Sequence, residues 1–415
     1  MIKLSDDLKY FFSGAFFIGL SSVYSLVVPL MVLPYLIKTV GLSSYGLSII
    51  AFSIAFSLSL VIDLGYNISG VNRLSKSDSN KEKAEIIAKI SYTKIVLFLI
   101  LFVCLTIGIA FTPYLRQHLV LFLCSFLITL SPLFNFNWAL QGLQKIKLLG
   151  IMNVLNKTIY MAGIFLFINK QKDFVYINFW YAIGIIITGL ISLFIINQKI
   201  PLKSIPFDYK TFLEEIKTSS YYFVSNISIY MSVSFYPVII KVFLSNEMVG
   251  VYSVVEKIYN LLRTIFSAYI NLMLPKISSL VEDSKIIALR VLKQTYLLLL
   301  LYLIVQTTLA WVFRNKIILY FTNEYVNLTV GLFETTFLGI FFVIFNTPIY
   351  LMLLALDKKK VIMKTTTALA FTGLLLCTIL SSFFGIKGAV YSIILIEFSY
   401  ALCYSITYIN LKNNL

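Results

Sequence analysis

Charge is scarce in this sequence. Only 13% of its 415 residues are Asp, Glu, Lys or Arg, against 59% hydrophobic, and the mean hydropathy is +0.90. A soluble globular chain carries about 25% charged residues. Histidine occurs once, as His118 in a short loop after Pro113, so no imidazole cluster can hold a metal. The four cysteines (Cys104, Cys124, Cys377 and Cys403) all sit in apolar segments without C-x-x-C spacing. They read as small buried hydrophobes, and neither a disulfide framework nor a thiolate metal site is supported. Also missing are G-x-x-x-x-G-K-[ST], H-E-x-x-H, G-x-S-x-G and a glycine-rich dinucleotide fingerprint. That removes P-loop nucleotide binding and the common soluble-type catalytic sites. Asn67-Ile-Ser and Asn226-Ile-Ser match a glycosylation tripeptide, but both fall within or at the edge of apolar segments and are read as incidental. The longest polar stretches, Asn72–Lys89 and Gln198–Glu215, are too short to fold as soluble domains. Carriage of a substrate is therefore expected rather than enzymatic catalysis.

What the chain has in abundance is long apolar runs. Each crosses a hydrocarbon core of about 30 Å as a helix of roughly 20 residues. Helices satisfy their own backbone where no water reaches, whereas a β-barrel would show ~10-residue alternating segments. The expected fold class is thus an all-α integral membrane protein with about twelve transmembrane helices. In the first half the spans fall at about 11–37, 45–68, 91–112, 119–142, 150–169 and 175–196. In the second half they fall at about 217–241, 249–274, 291–313, 326–354, 362–384 and 388–410. The first run is too long for a secretory h-region and is read as a retained helix.

Lys and Arg cluster in the loops after even-numbered spans: Arg73, Lys76, Lys81, Lys83, Lys89 and Lys94 after the second, and Lys358, Lys359 and Lys360 after the tenth. The alternate loops carry one or two bases each, such as Lys38 and Arg116. The positive-inside rule then places both termini in the cytoplasm. Loop topology also accounts for much of the net charge of +16, so nucleic acid is not an expected partner.

The halves echo one another. Leu140-Gln-Gly-Leu-Gln-Lys-Ile-Lys147 closes the fourth span, and Leu353-Leu-Ala-Leu-Asp-Lys-Lys-Lys360 closes the tenth. Gly41-Leu-Ser-Ser-Tyr-Gly46 after the first span is echoed by Ser245-Asn-Glu-Met-Val-Gly250 after the seventh. An even number of spans separates the copies, which predicts two parallel six-helix lobes, residues 1–206 and 207–415, related by an axis along the membrane normal.

Charges inside a span are costly and normally face the bundle interior or water. The eighth span holds Glu256, Lys257 and Arg263. At 100° per residue Glu256, Asn260, Arg263, Ser267 and Asn271 share a stripe of ~80°, bordered by Lys257, with Val255, Leu262, Ile265 and Met273 opposite. This is the pattern of a helix lining a wet cavity; a structural ion pair between Glu256 and a neighbouring base is the alternative. Arg263 lies ~21 Å into its span, too deep to snorkel easily, and guanidinium can grip phosphate with two parallel donors. It could instead pair with Glu256 or Glu397. Glu397 and Glu334 are candidates for coupling to a proton or cation gradient, or for pairing with a base. Asp63, near the cytoplasmic end of the second span, reads equally as a partner of Arg73 or Lys76 that closes an inner gate and as a simple helix-end carboxylate. Lys157, with Asn153 and Asn156 nearby, is read as snorkelling to cytoplasmic headgroups. Pro29 and Pro34 should break the first span and Pro237 the seventh.

The chain resembles the Wzx-type O-antigen flippases, in the polysaccharide transporter branch of the multidrug/oligosaccharidyl-lipid/polysaccharide exporter superfamily. The resemblance rests on Pro29-Leu-Met-Val-Leu-Pro-Tyr-Leu36, Gly41, Tyr45-Gly46, Asp63-Leu-Gly-Tyr-Asn67 and Arg73. Asn137-Trp-Ala-Leu-Gln-Gly142, Lys145, Gly250-Val-Tyr-Ser253 and Lys257-Ile258 continue it. It implies a substrate of undecaprenyl diphosphate bearing a short oligosaccharide, moved from the cytoplasmic to the periplasmic leaflet of a bacterial inner membrane. A polysaccharide polymerase, a chain-length regulator and membrane lipid are the partners it implies. The resemblance also implies two six-helix lobes around a central, cationic cavity, and Arg263, Lys257, Asn260 and Glu256 are the candidates for its lining, taken from spacing. A cation-coupled multidrug exporter of the same superfamily and an O-antigen polymerase are the rival classes. Short outside loops argue against the polymerase.

Overall fold

The computed structural model describes the backbone of residues 2–201 and 208–413. Every regular element among the described residues is helical, as backbone buried in hydrocarbon requires. Among the described residues ten helical segments are long and apolar enough to cross a membrane, and the first, Gly19–Lys76, is 58 residues long and takes in the expected second span and most of the first. The expected seventh span corresponds to the helices Tyr209–Ser234 and Tyr236–Phe243, so about twelve crossings remain the description of the chain. Apolar side chains stand outward at a four-residue spacing on the Asn80–Phe111 helix, with Leu99, Val103, Ile107 and Phe111 all exposed. An outward apolar stripe of that kind is what a lipid-facing helix presents.

The first helix corrects one expectation. It runs through Pro29 and Pro34 without a break, and the chain turns at Gly41, where φ is 79° and ψ 160°. A Cβ at Gly41 would meet nothing within 4 Å, so it is the backbone angle, not crowding, that requires glycine. Pro237 does sit at a break, in the first turn of Tyr236–Phe243.

The chain divides into two compact units, Met1–Tyr230 and Met231–Leu415. The expected lobe boundary between residues 206 and 207 falls outside the described residues. Most of the Tyr209–Ser234 helix belongs with the first unit for a physical reason: Glu215 pairs there with Arg73, and Ile216 and Phe223 pack against that unit's core.

In the first unit, Tyr66, Leu74, Ile87, Ile90, Trp138 and Leu140 form one buried cluster. Two glycines let its elements approach. A Cβ on Gly70 would come within 2.7 Å of the Trp138 ring, and one on Gly142 within 2.8 Å of Leu74. Close approach through small residues is the usual means of helix association in lipid, where dispersion replaces the hydrophobic drive. In the second unit, Tyr259, Phe266, Leu299, Leu303, Ile340 and Ile344 play the same part.

The repeat seen in the sequence extends to atomic detail. Gln144 and Asp357 both take left-handed backbone angles, with φ 57° and 54°. In the first copy the Lys145 amide donates to Leu140 O and the Gln144 amide to Gln141 O; in the second, Lys358 donates to Leu353 O and Asp357 to Leu354 O. Both helices therefore end in the same Schellman motif at the same position of the repeated segment.

Candidate functional site

The Asn246–Asp283 helix carries the polar stripe. Asn260, Ser267 and Asn271 are exposed along it, and Glu256, Lys257 and Arg263 are half-buried. Its buried face is made by Val255, Tyr259, Phe266 and Met273, whereas the expected Leu262 and Ile265 are only half-buried. Glu256 bonds Asn260 one turn along, and among the described residues no ion pair joins it to another helix.

Arg263 pairs with Glu397. Nη1 lies 2.7 Å from Glu397 Oε1, and the Tyr259 hydroxyl donates to the same oxygen at 3.4 Å. The partners differ in setting: the Glu397 side chain is 4% exposed and that of Arg263 is 40% exposed. Glu397 Oε2 is buried with no hydrogen-bond partner among the described residues. The carboxylate thus anchors one edge of the guanidinium from below. Arginine carries five N–H donors, so most of them remain available on the exposed side.

A second pair lies in the first unit. Lys94 Nζ is 2.8 Å from Asp63 Oδ1 and donates to Pro132 O at 3.1 Å. It also lies 5.6 and 5.7 Å from the ring centroids of Tyr66 and Trp138. Its side chain is only 2% exposed, so carboxylate, carbonyl and two π faces replace its hydration. Asp63 therefore does not pair with Arg73 or Lys76, and Lys94 is not a loop charge but a buried one. Arg73 instead forms a two-pronged pair with Glu215, Nη1 to Oε2 at 2.7 Å and Nη2 to Oε1 at 2.9 Å. The Tyr66 hydroxyl donates to Glu215 Oε2 at 3.4 Å, which places both pairs against one aromatic ring. Sequence reasoning missed Lys94 and Glu215, whose partners lie 31 and 142 residues away.

Glu334 is held by Arg314 Nε at 2.5 Å, in a pair where both side chains remain partly exposed. Arg314 also lies 4.5 Å from the Trp311 ring centroid. All three carboxylates read as coupling or gating candidates (Asp63, Glu334 and Glu397) are thus matched to a base. Lys157 Nζ lies 5.5 Å from the centroid of the Tyr181 ring.

This helical architecture recurs in solved transporters. It aligns at a TM-score of 0.74 with the structure titled "Lipid II flippase MurJ, inward closed conformation", at 17% identity over 94% of this chain and 87% of that one. A multidrug resistance MATE family transporter of the MOP superfamily, in an inward-facing conformation, aligns at 0.70, with 14% identity over 95% and 96%. The chain is a multi-pass membrane protein with that transporter fold. The family model described as "Polysaccharide biosynthesis protein" matches residues 11–281, and the chain belongs to that family. A protein of Escherichia coli (strain K12) named "Putative O-antigen transporter" is 21% identical over 254 residues. The match spans about three fifths of each sequence, 61% of this chain and 61% of that relative.

Proposed function

We propose that the chain moves an undecaprenyl-diphosphate-linked oligosaccharide from the cytoplasmic to the periplasmic leaflet of a bacterial inner membrane, by alternating access with both termini in the cytoplasm. One observation carries this reading: a permanently charged guanidinium deep in a span, gripped by a buried carboxylate on one side and exposed on the other. An exposed charge at that depth is tolerable only beside water, and the free donors suit the planar recognition of phosphate oxygens. A diphosphate cannot cross hydrocarbon unaided, and a cation in a low-dielectric site offsets its lost hydration. The Glu397 contact moderates that attraction, which favours release as well as binding. Membership of the polysaccharide biosynthesis family and the fold shared with a lipid II flippase support the same substrate class.

The test is to measure surface glycan and protein abundance together in Arg263→Ala and Arg263→Lys. The alanine variant should abolish glycan export, whereas lysine should retain part, keeping charge but losing the fork. Normal export in Arg263→Ala at normal abundance removes Arg263 from the mechanism.

A further inference from the structure

Within the first unit lies a polar feature that none of the ion pairs uses. A cavity of about 130 Å³ is lined by Asn135, Asn137, Asn153 and Asn156, by the hydroxyls of Thr188 and Ser192, and by the Tyr181 ring. It lies between the 131–137 turn and the helices Ile146–Phe167 and Ile177–Lys199. Among the described residues no Asp, Glu, Lys or Arg lines it. Carboxamides gathered inside a membrane bundle cost free energy unless they are bonded, so their clustering needs a reason.

Their own hydrogen bonds are only partly used. Asn137 Nδ2 donates to Asn153 Oδ1 at 2.9 Å, and Asn135 Oδ1 accepts from the Asn137 amide at 3.1 Å. Thr188 Oγ1 and Ser192 Oγ each donate at 2.8 Å to backbone carbonyls of their own helix, of Gly184 and Thr188 respectively. The two hydroxyl oxygens keep acceptor capacity, and the side-chain amide of Asn153 keeps its donors. Donors and acceptors alternate without net charge. Phosphate, ammonium and metal ions all ask for an opposite charge, which the described lining residues do not supply. The group that matches such a wall is one that both donates and accepts, a hydroxyl.

The cavity is also built into the helix packing. A Cβ on Gly184 would lie 2.5 Å from Asn156 Oδ1, and one on Gly189 only 1.8 Å from Phe134 O. These two glycines let their helix close on the asparagines. Phe52 and Tyr160 hold the Tyr181 wall edge-on, with centroids at 5.1 and 5.9 Å. Lys157 does not line the space; its ammonium meets the Tyr181 ring.

We propose that this cavity takes one pyranose ring of the transported oligosaccharide and reads it through its hydroxyls, an assignment that rests on the function proposed above. The size agrees, since a cavity of about 150 Å³ holds one six-membered ring. Water is the competing occupant.

Asn153→Leu replaces the carboxamide by an apolar group of similar volume. Wild type and variant, in nanodiscs, are titrated with undecaprenyl-diphosphate-oligosaccharide from the encoding strain and with bare undecaprenyl diphosphate. The oligosaccharide lipid should bind about tenfold more weakly to the variant, the equivalent of one or two lost hydrogen bonds. Affinity for the bare lipid should be unchanged. Thr188→Val, isosteric and less disruptive, should give a loss of the same sign and carries the comparison if Asn153→Leu does not fold. Unchanged binding of both lipids, or equal weakening of both, overturns the proposal in favour of a hydrated or structural cavity. Failure of the wild type to bind either lipid overturns the function reading itself, and this assignment with it.

Discussion

The Arg263–Glu397 pair makes an asymmetric demand on stability. Removing the base strands a carboxylate that is 4% exposed and already has one oxygen without a partner. Stranding a buried charge costs about 3–5 kcal/mol. Removing the acid instead leaves a guanidinium that is 40% exposed and can hydrate. That loss falls toward the scale of exposed pairs, about 0.2–1 kcal/mol. Arg263→Gln should therefore be the damaging change and Glu397→Gln the mild one. For a unit the size of Met231–Leu415, 1 kcal/mol moves the thermal midpoint by about 2–4 °C. Arg263→Gln should lower the midpoint of the detergent-solubilised protein by roughly 10 °C and Glu397→Gln by about 3 °C or less. The double variant should recover most of the loss, because no charge is left buried. Heating aliquots and following the monodisperse fraction by size-exclusion chromatography reads all three. Equal losses in the two single variants, or the reverse order, refute the reasoning.

Three further outcomes follow from the Arg73–Glu215 pair, the left-handed turns and the loop charges. Arg73→Gln strands Glu215, whose side chain is 8% exposed, and should lower stability by about 3 kcal/mol in the same heating assay; Glu215→Gln should cost less, since Arg73 is 28% exposed. Gln144→Gly and Asp357→Gly accept the left-handed angle that Gln144→Val and Asp357→Val cannot, so at each site the glycine variant should survive the same heating better than the valine variant. Reporter fusions at Ser77 and Asp357 should read as cytoplasmic and those at Asn169 and Asn323 as periplasmic; one reversed pair overturns the orientation.

The spans were legible because a hydrocarbon core imposes length and apolarity on each segment, and a helix satisfies both locally. The depth of Arg263 was legible for the same reason. Its pairing with Glu397 was one of two options, because composition shows that a buried base needs an acid but not which acid. Prolines misled in the first helix: both Pro29 and Pro34 are accommodated, and the break falls at Gly41, where only the left-handed angle matters. Lys94 misled most. It lies near the start of an apolar run and reads as a loop base, yet a carboxylate, a carbonyl and two rings enclose it. Such an enclosure depends on contacts from four elements besides the helix that carries Lys94, none of which leaves a local pattern. The asparagine cavity was invisible for that reason too: Asn153 and Asn156 stood out beside Lys157, but Asn135, Thr188 and Ser192 join them only in space. The Schellman repeat is the opposite case, a local backbone motif whose sequence echo pointed to the right residues.

The most direct test of the account is translocation by the purified protein. Proteoliposomes loaded with undecaprenyl-diphosphate-oligosaccharide in both leaflets are treated with a glycosidase that cannot cross the bilayer, and the cleaved fraction is followed with time. Wild type should carry cleavage past the outer-leaflet half toward completion, whereas Arg263→Ala of equal abundance should stop at that half, as protein-free vesicles do. A wild-type curve that also stops at half contradicts the assignment of this chain as a flippase for lipid-linked oligosaccharide.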